Sequence, residues 1–412
     1  MDPAILRCCL VALTLAQAPV AFAAGDAATE FHLFVPPNND ATGRDVLLMV
    51  TAVSEDTSVE IRDDAADGDD DDSVTTSLSR GQTYVVRLAD GGVNDDAGGK
   101  WDGDLFHIFS SAPVVVQIAT RSNWQHDWAA SEDHDGRGTS FFLYAPGTSG
   151  ADNDIDVFAY EDDTQVSIVD ISASTHDGTS GATAIDLEEA TLVLEATLQL
   201  GEDLNVRRGL GIDILDPGRT YWVRATKPVT VQYGHLDQVT GGNQARDGGG
   251  FVPSVNGSAT GPLFFFTIPT NPGLQHEKEL RVVCYQDGTT VTLRGANRHD
   301  ADWTLVDQSI VNAGGHLDFV GATDPAFAAL DLYRLEVTPA HHRCTVFEAN
   351  WLETGAMGTS DIASAMSSAN GRPVGRWFVP YIGPPGYQHN ASGVGGTYSH
   401  LYVATRHPGT EI

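Results

Sequence analysis

Along most of this chain apolar residues alternate with polar ones over short runs, and the runs break at Gly, Pro, Asp or Asn. A period of two is what a strand with one buried face requires, whereas an amphipathic helix repeats its apolar positions every three or four residues. The runs themselves recur. Phe31-His32-Leu33-Phe34-Val35-Pro36 returns as Phe141-Phe142-Leu143-Tyr144-Ala145-Pro146, as Phe264-Phe265-Phe266-Thr267-Ile268-Pro269 and as Trp377-Phe378-Val379-Pro380. The openings at Phe31, Phe141, Phe264 and Trp377 lie 110, 123 and 113 residues apart, intervals that match whole small domains rather than solenoid repeats.

Each opening is followed by a strand-turn-strand pattern. Val46 to Ala52 turns at Glu55-Asp56-Thr57 into Val59-Glu60-Ile61, and Asp156 to Tyr160 turns at Asp162-Asp163-Thr164 into Val166-Ser167-Ile168. Leu280 to Tyr285 turns at Asp287-Gly288-Thr289 into Val291-Thr292-Leu293, and a fourth pattern begins at Leu401-Tyr402-Val403 and turns at Pro408-Gly409-Thr410. Asp bonds its own backbone in such turns, and Gly accepts positive φ. A Gly-centred turn comes next, at Gly81, Gly201 and Gly314. Two further strands then follow: Phe106-His107-Ile108 before Pro113-Val114-Val115-Val116, and Tyr221-Trp222-Val223 before Pro228-Val229-Thr230-Val231. The third unit has Tyr333-Arg334-Leu335 and then Cys344-Thr345-Val346-Phe347. Leu187 to Leu200 fits both the helical and the strand period. About seven short strands per unit predict an all-β chain, a tandem array of β-sandwich modules of immunoglobulin-like size. The expected modules are residues 24–137, 138–260 and 261–371, with the start of a fourth at 372–412.

The order of a turn with Thr-x-Val, a Gly-centred turn and a Pro-Val-x-Val strand resembles the IgGFc-binding protein N-terminal domain family, which includes many bacterial surface proteins. The likeness extends over nearly all of residues 24–412, although Pro339 is displaced from the Pro-Val position in the third unit. It implies a secreted, non-enzymatic, adhesion-like or ligand-binding role. No immunoglobulin-binding residue carries over with it.

Charge and compartment narrow the picture. Lys+Arg 23 against Asp+Glu 56 gives a net charge of −33, which argues against nucleic acid and anionic lipid as partners. Met1 to Ala23 has the form of a secretory signal: Arg7, an apolar stretch from Cys8 to Leu15, and Ala21-Phe22-Ala23 before the cut. No later stretch is long and apolar enough to insert in a membrane. Cleavage leaves Cys284 and Cys344, which in an exported chain are expected to pair, two buried thiols being the other outcome. Closing that loop is worth about 4 kcal/mol on the chain-entropy model.

Candidate chemistry is concentrated in polar loops. The run from Asp63 to Asp72 offers Asp63, Asp64, Asp67, Asp69 and Asp71 as oxygen ligands for Ca2+. The same run also reads as a solvated, self-repelling loop. Trp124, His126, Asp127 and Trp128 follow the first Pro-Val strand, His235 and Asp237 the second, and Trp351 the third counterpart. Aromatic and polar side chains together suit recognition of an extracellular protein or glycan, and equally suit packing between modules. His126-Asp127 beside Ser122 or Ser131 has the residue types of a hydrolytic triad, but no G-x-S-x-G elbow accompanies them. The expected function is therefore a secreted or cell-surface binding protein without catalytic activity. A hydrolase with its site at a module junction and a structural surface spacer are the alternatives. The fourth turn aligns Ile412 with Val291, so a continuation beyond Ile412 is expected.

Overall fold

The computed structural model describes residues 27–35, 46–63, 73–87, 104–120, 126–128, 136–145, 154–171, 190–206, 215, 219–234, 250–252, 254–255, 260–267, 279–297, 302–320, 324–330, 332–349 and 364–366. They form antiparallel sheets in three successive sandwiches, so the all-β expectation holds. The first contains β1 (Ala28–Val35), β2 (Val46–Ala52), β3 (Thr57–Asp63), β4 (Ser73–Leu78), β5 (Thr83–Arg87), β6 (Asp104–Thr120) and β7 (His126–Trp128). The second contains β8 (Gly138–Ala145), β9 (Asp154–Ala159), β10 (Thr164–Asp170), β11 (Thr191–Leu198), β12 (Asp203–Val206), β13 (Arg219–Gly234) and β14 (Gly250–Phe251). The third contains β15 (Leu263–Thr267), β16 (Glu279–Cys284), β17 (Thr289–Ala296), β18 (Thr304–Val311), β19 (His316–Val320), a short helix α1 (Pro325–Ala328), β20 (Leu332–Thr338), β21 (Cys344–Ala349) and β22 (Ser364–Met366).

One long strand organises each of the first two sandwiches. The first half of β6 runs between β1 and β3, and its second half between β2 and β7. β13 does the same for β8 and β10, then for β9 and β14. The sequence reads each of these as two strands, divided before Pro113 and Pro228. The structure joins them because the prolines fall where the strand changes partners. Ser110 is the last residue of β6 paired with β3, and Val114 begins the pairing with β2. Ala225 and Val229 bracket the same gap in β13. A residue without an N–H forfeits nothing at that point of the ladder. In the third sandwich residues 339–343 separate β20 from β21, and two four-stranded sheets result: β15-β20-β17-β18 and β19-β16-β21-β22. The ambiguous stretch near Leu187 resolves as β11, which pairs with β10.

The turns follow the sequence closely. Asp56, Asp163 and Gly288 occupy equivalent hairpin positions with φ of 53°, 53° and 66°, and Gly81, Gly201 and Gly314 have φ of 77°, 81° and 72°. In every sandwich the two turns are clasped. Gly81 N–H donates to Ala52 O, Gly201 N–H to Ala159 O and Gly314 N–H to Cys284 O, at 2.7, 3.0 and 2.7 Å. Buried Thr57, Thr164 and Thr289 each donate their hydroxyl to the carbonyl three residues back, on Ser54, Glu161 and Gln286. The cores between the sheets are apolar: Phe31, Leu48, Ile61 and Phe106 in the first, Phe141, Val157, Ile168 and Tyr221 in the second, Phe264, Leu293, Phe327 and Tyr333 in the third. In the third, Asp324 caps α1 by accepting from Ala326 N–H and Phe327 N–H, which brings Phe327 under the Tyr333 ring.

Candidate functional site at the module junctions

Strand alternation gives each opening strand an outward row of side chains, and register pairs that row across the sheet. His32 lies opposite His107, Phe142 opposite Trp222, and Phe265 opposite Arg334. The next sandwich packs onto this row through the end of its hairpin arm. His32 stacks on Phe158 at 4.9 Å and meets Tyr160 edge-on at 5.9 Å, while the Arg137 guanidinium lies over the Tyr160 ring at 3.6 Å. One repeat later Phe142 meets Tyr285 at 5.0 Å, and Val283, Tyr285 and Phe347 are buried in one cluster with the second core. Tyr160 and Tyr285 are equivalent residues, each just before its hairpin turn. Tyr160 donates to Thr230 Oγ1 at 3.1 Å, and the Tyr285 hydroxyl meets Thr345 Oγ1. Burial pushes the Tyr285 phenol well above its ordinary range, and Arg343 opposes that shift.

The first junction is the more polar. His32 and His107 stack with ring centroids 3.5 Å apart, and His107 Nε2 lies 3.0 Å from Glu30 Oε1. Glu30, His32 and His107 each offer one ligand atom, all within 4.8 Å of one another, and all three side chains are half-buried. Sequence reasoning missed this group. Alternation in β1 puts Glu30 and His32 on one face, but nothing local reveals that His107 pairs with them.

The cysteines are joined as expected. Cys284 and Cys344 face each other directly on neighbouring strands with Cα atoms 4.1 Å apart, and the bond closes over a separation of 60 residues. Cys344 exchanges its backbone bonds with Gly261 rather than with Cys284. The cysteines therefore form a non-hydrogen-bonded pair, in which antiparallel Cα atoms lie closest.

The loop residues singled out by sequence are described only in part. His126, Asp127 and Trp128 form β7, which pairs with Gln117, Ile118 and Ala119 at the end of β6. Trp124, His235, Asp237 and Trp351 lie outside the described residues. In chain order they fall between β6 and β7, between β13 and β14, and between β21 and β22, the same connection in each sandwich. Asp63 is a buried residue at the end of β3, opposite Phe106, whereas Asp64, Asp67, Asp69 and Asp71 lie outside the described residues. Among the described residues no helix is long and apolar enough to cross a membrane. No protein-family model matches the chain, and no curated protein matches it.

Proposed function

We propose that this chain is an exported binding protein of the cell surface or extracellular space, in which a repeated sandwich framework holds recognition loops in fixed relation. One observation carries the reading. The connections containing Trp124, His235, Asp237 and Trp351 join equivalent strand pairs in all three sandwiches, and β14, the last strand of the second, lies against both β7 and β22. The strands that follow these three polar connections, β7, β14 and β22, therefore lie next to one another, β14 between the other two. A rigid scaffold with variable loops is a general arrangement for binding. The disulfide fits an oxidising compartment, and the charge of −33 disfavours nucleic acid as the partner.

The ligand is an extracellular protein or glycan, and the resemblance to the IgGFc-binding protein N-terminal domain family supports the same class. The test is binding of residues 24–412 to a glycan array and to a panel of immobilised extracellular proteins. A saturable ligand is expected, with affinity reduced at least about tenfold by Trp124→Ala or Trp351→Ala, the scale of one aromatic anchor. Absence of any retained ligand would make the chain a spacer. Turnover of ester, peptide or glycoside substrates would replace the reading with a hydrolase.

A further inference from the structure

Three positions on the outward face of the first sandwich are filled differently from their counterparts. Glu30, His32 and His107 stand where the second sandwich has Ser140, Phe142 and Trp222 and the third has Leu263, Phe265 and Arg334. The hydrogen bond along this face is kept in the second sandwich, where Trp222 Nε1 donates to Ser140 Oγ at 2.7 Å. In the first, His107 Nε2 and Glu30 Oε1 replace it at 3.0 Å. Only the first set consists entirely of side chains with a lone pair to give a metal, and among the described residues it is the one such group of three. We infer that Glu30, His32 and His107 form a binding site for a single transition-metal ion of the zinc class at the first junction.

The donor set selects the ion. Two imidazole nitrogens and one carboxylate oxygen are a three-ligand set that zinc accepts with a water completing the tetrahedron, and nickel and copper take similar ligands. Calcium and magnesium favour six or more oxygens and are poorly served here. Donors around a tetrahedral zinc lie about 3.4 Å from one another, as follows from bond lengths near 2.0–2.1 Å. The present atoms lie within 4.8 Å of one another, so closing to that spacing asks for a shift of roughly 1.4 Å at most in any pair.

One rotation is obligatory. The two rings are stacked at 3.5 Å with planes 22° apart, so their in-plane lone pairs run side by side rather than converging. One imidazole must turn about its Cβ–Cγ bond before both nitrogens reach one ion. His32 is the ring that rests on Phe158 of the next sandwich. Occupancy of the site is therefore linked to the packing of the first junction, and the apolar wall of Phe158 and Tyr160 limits water on that side.

The experiment uses residues 24–412, stripped with chelator and titrated calorimetrically with Zn2+ at neutral pH, with Co2+ absorption as a second readout. The sequence contains 14 histidines, so the difference between variants is the measurement. The parent protein is expected to bind one ion more tightly than any background. His32→Phe combined with His107→Trp, which recreates the pair of the second sandwich, is expected to lose that one equivalent while keeping its unfolding temperature without metal. Glu30→Gln is expected to weaken the site at least about tenfold. Unchanged stoichiometry and affinity in the double variant, or no saturable zinc binding in the parent, would overturn the assignment. If the double variant misfolds, His107→Gln and Glu30→Gln decide between the same outcomes.

Discussion

The two junctions use the same backbone register and different chemistry. At the second, Phe142 is nearly fully buried beside Trp222, their rings stacked 5.6 Å apart at 7°, and Tyr285, Val283 and Phe347 complete a cluster continuous with the second core. At the first, two half-buried histidines and a glutamate occupy the corresponding face, covered by Phe158 and Tyr160. Apolar burial contributes about 25 cal/mol for each Å² removed from water and carries no dependence on pH or on metal ions. Imidazole and carboxylate groups respond to ions and ligands. A repeat thus keeps its docking geometry while one interface is built from apolar burial and the other from groups that can hold an ion.

The largest expected effect concerns what stands behind the second junction. The arm that carries Tyr285 is tied by the Cys284–Cys344 bond, and the second sandwich has no counterpart behind Tyr160, where Ala159 and Val229 face each other. Replacing both cysteines by alanine is expected to destabilise the third sandwich by about 4 kcal/mol on the chain-entropy model. Denaturant unfolding followed through the fluorescence of Trp303, which packs edge-on to Phe265 within the third sandwich, measures it, and loss of the first junction in parallel would break the comparison.

Phe142→Ala is expected to remove about 3 kcal/mol, the low end for a buried phenylalanine, whereas His32→Ala is expected to remove about 1 kcal/mol from its half-buried site. Equal losses would show that the junctions are energetically alike. Below Phe142→Ala stands Tyr285→Phe, which deletes the hydroxyl that meets buried Thr345 and is expected to destabilise by about 1–2 kcal/mol. Tyr160→Phe, which strips the partner from Thr230, is expected to match it in chemical denaturation.

The smallest effect is pH dependence at the turn below Tyr285. Desolvation, then His341, hold His342 below the ordinary imidazole value of 6.5, with Asp287 pulling the other way. His342 Nδ1 lies 2.9 Å from Thr289 Oγ1. The folded state favours the neutral ring, so this contribution is complete above pH 6.5 and declines as pH falls through the folded value. The third sandwich is expected to melt slightly earlier at pH 5 than at pH 7, and His342→Gln is expected to flatten that difference.

Much of the framework was legible because its causes are local. Positive φ at Asp56, Asp163 and Gly288 follows from the turn residues themselves, and the strand alternation around them fixes which side chains enter the core. The disulfide was legible from the expectation of export and from the cysteine number. The continuous β6 and β13 were not, since a proline ordinarily ends a strand and only the change of ladder partners makes Pro113 and Pro228 harmless. The junctions were hidden for a different reason. His32 and Phe158 are neighbours only through the stacking of two separately folded units, and His107 reaches Glu30 only through the β1–β6 register. The aromatic loop residues drew attention because composition marks them, whereas the Glu30 group carries no compositional signature.

The cross-strand cystine also determines how the chain behaves under tension. A pulling force entering the third sandwich at Gly261 and leaving near Met366 passes from Cys284 through the sulfur bridge to Cys344, and the segment between them carries no load. With a separation of 60 residues and about 3.4 Å of extended contour per residue, roughly 200 Å of chain stays out of the extension. The first two sandwiches, in which the described residues form no such bridge, release their whole contour when they yield. Stretched from its ends, this protein lengthens in unequal steps, with the third sandwich giving the shortest.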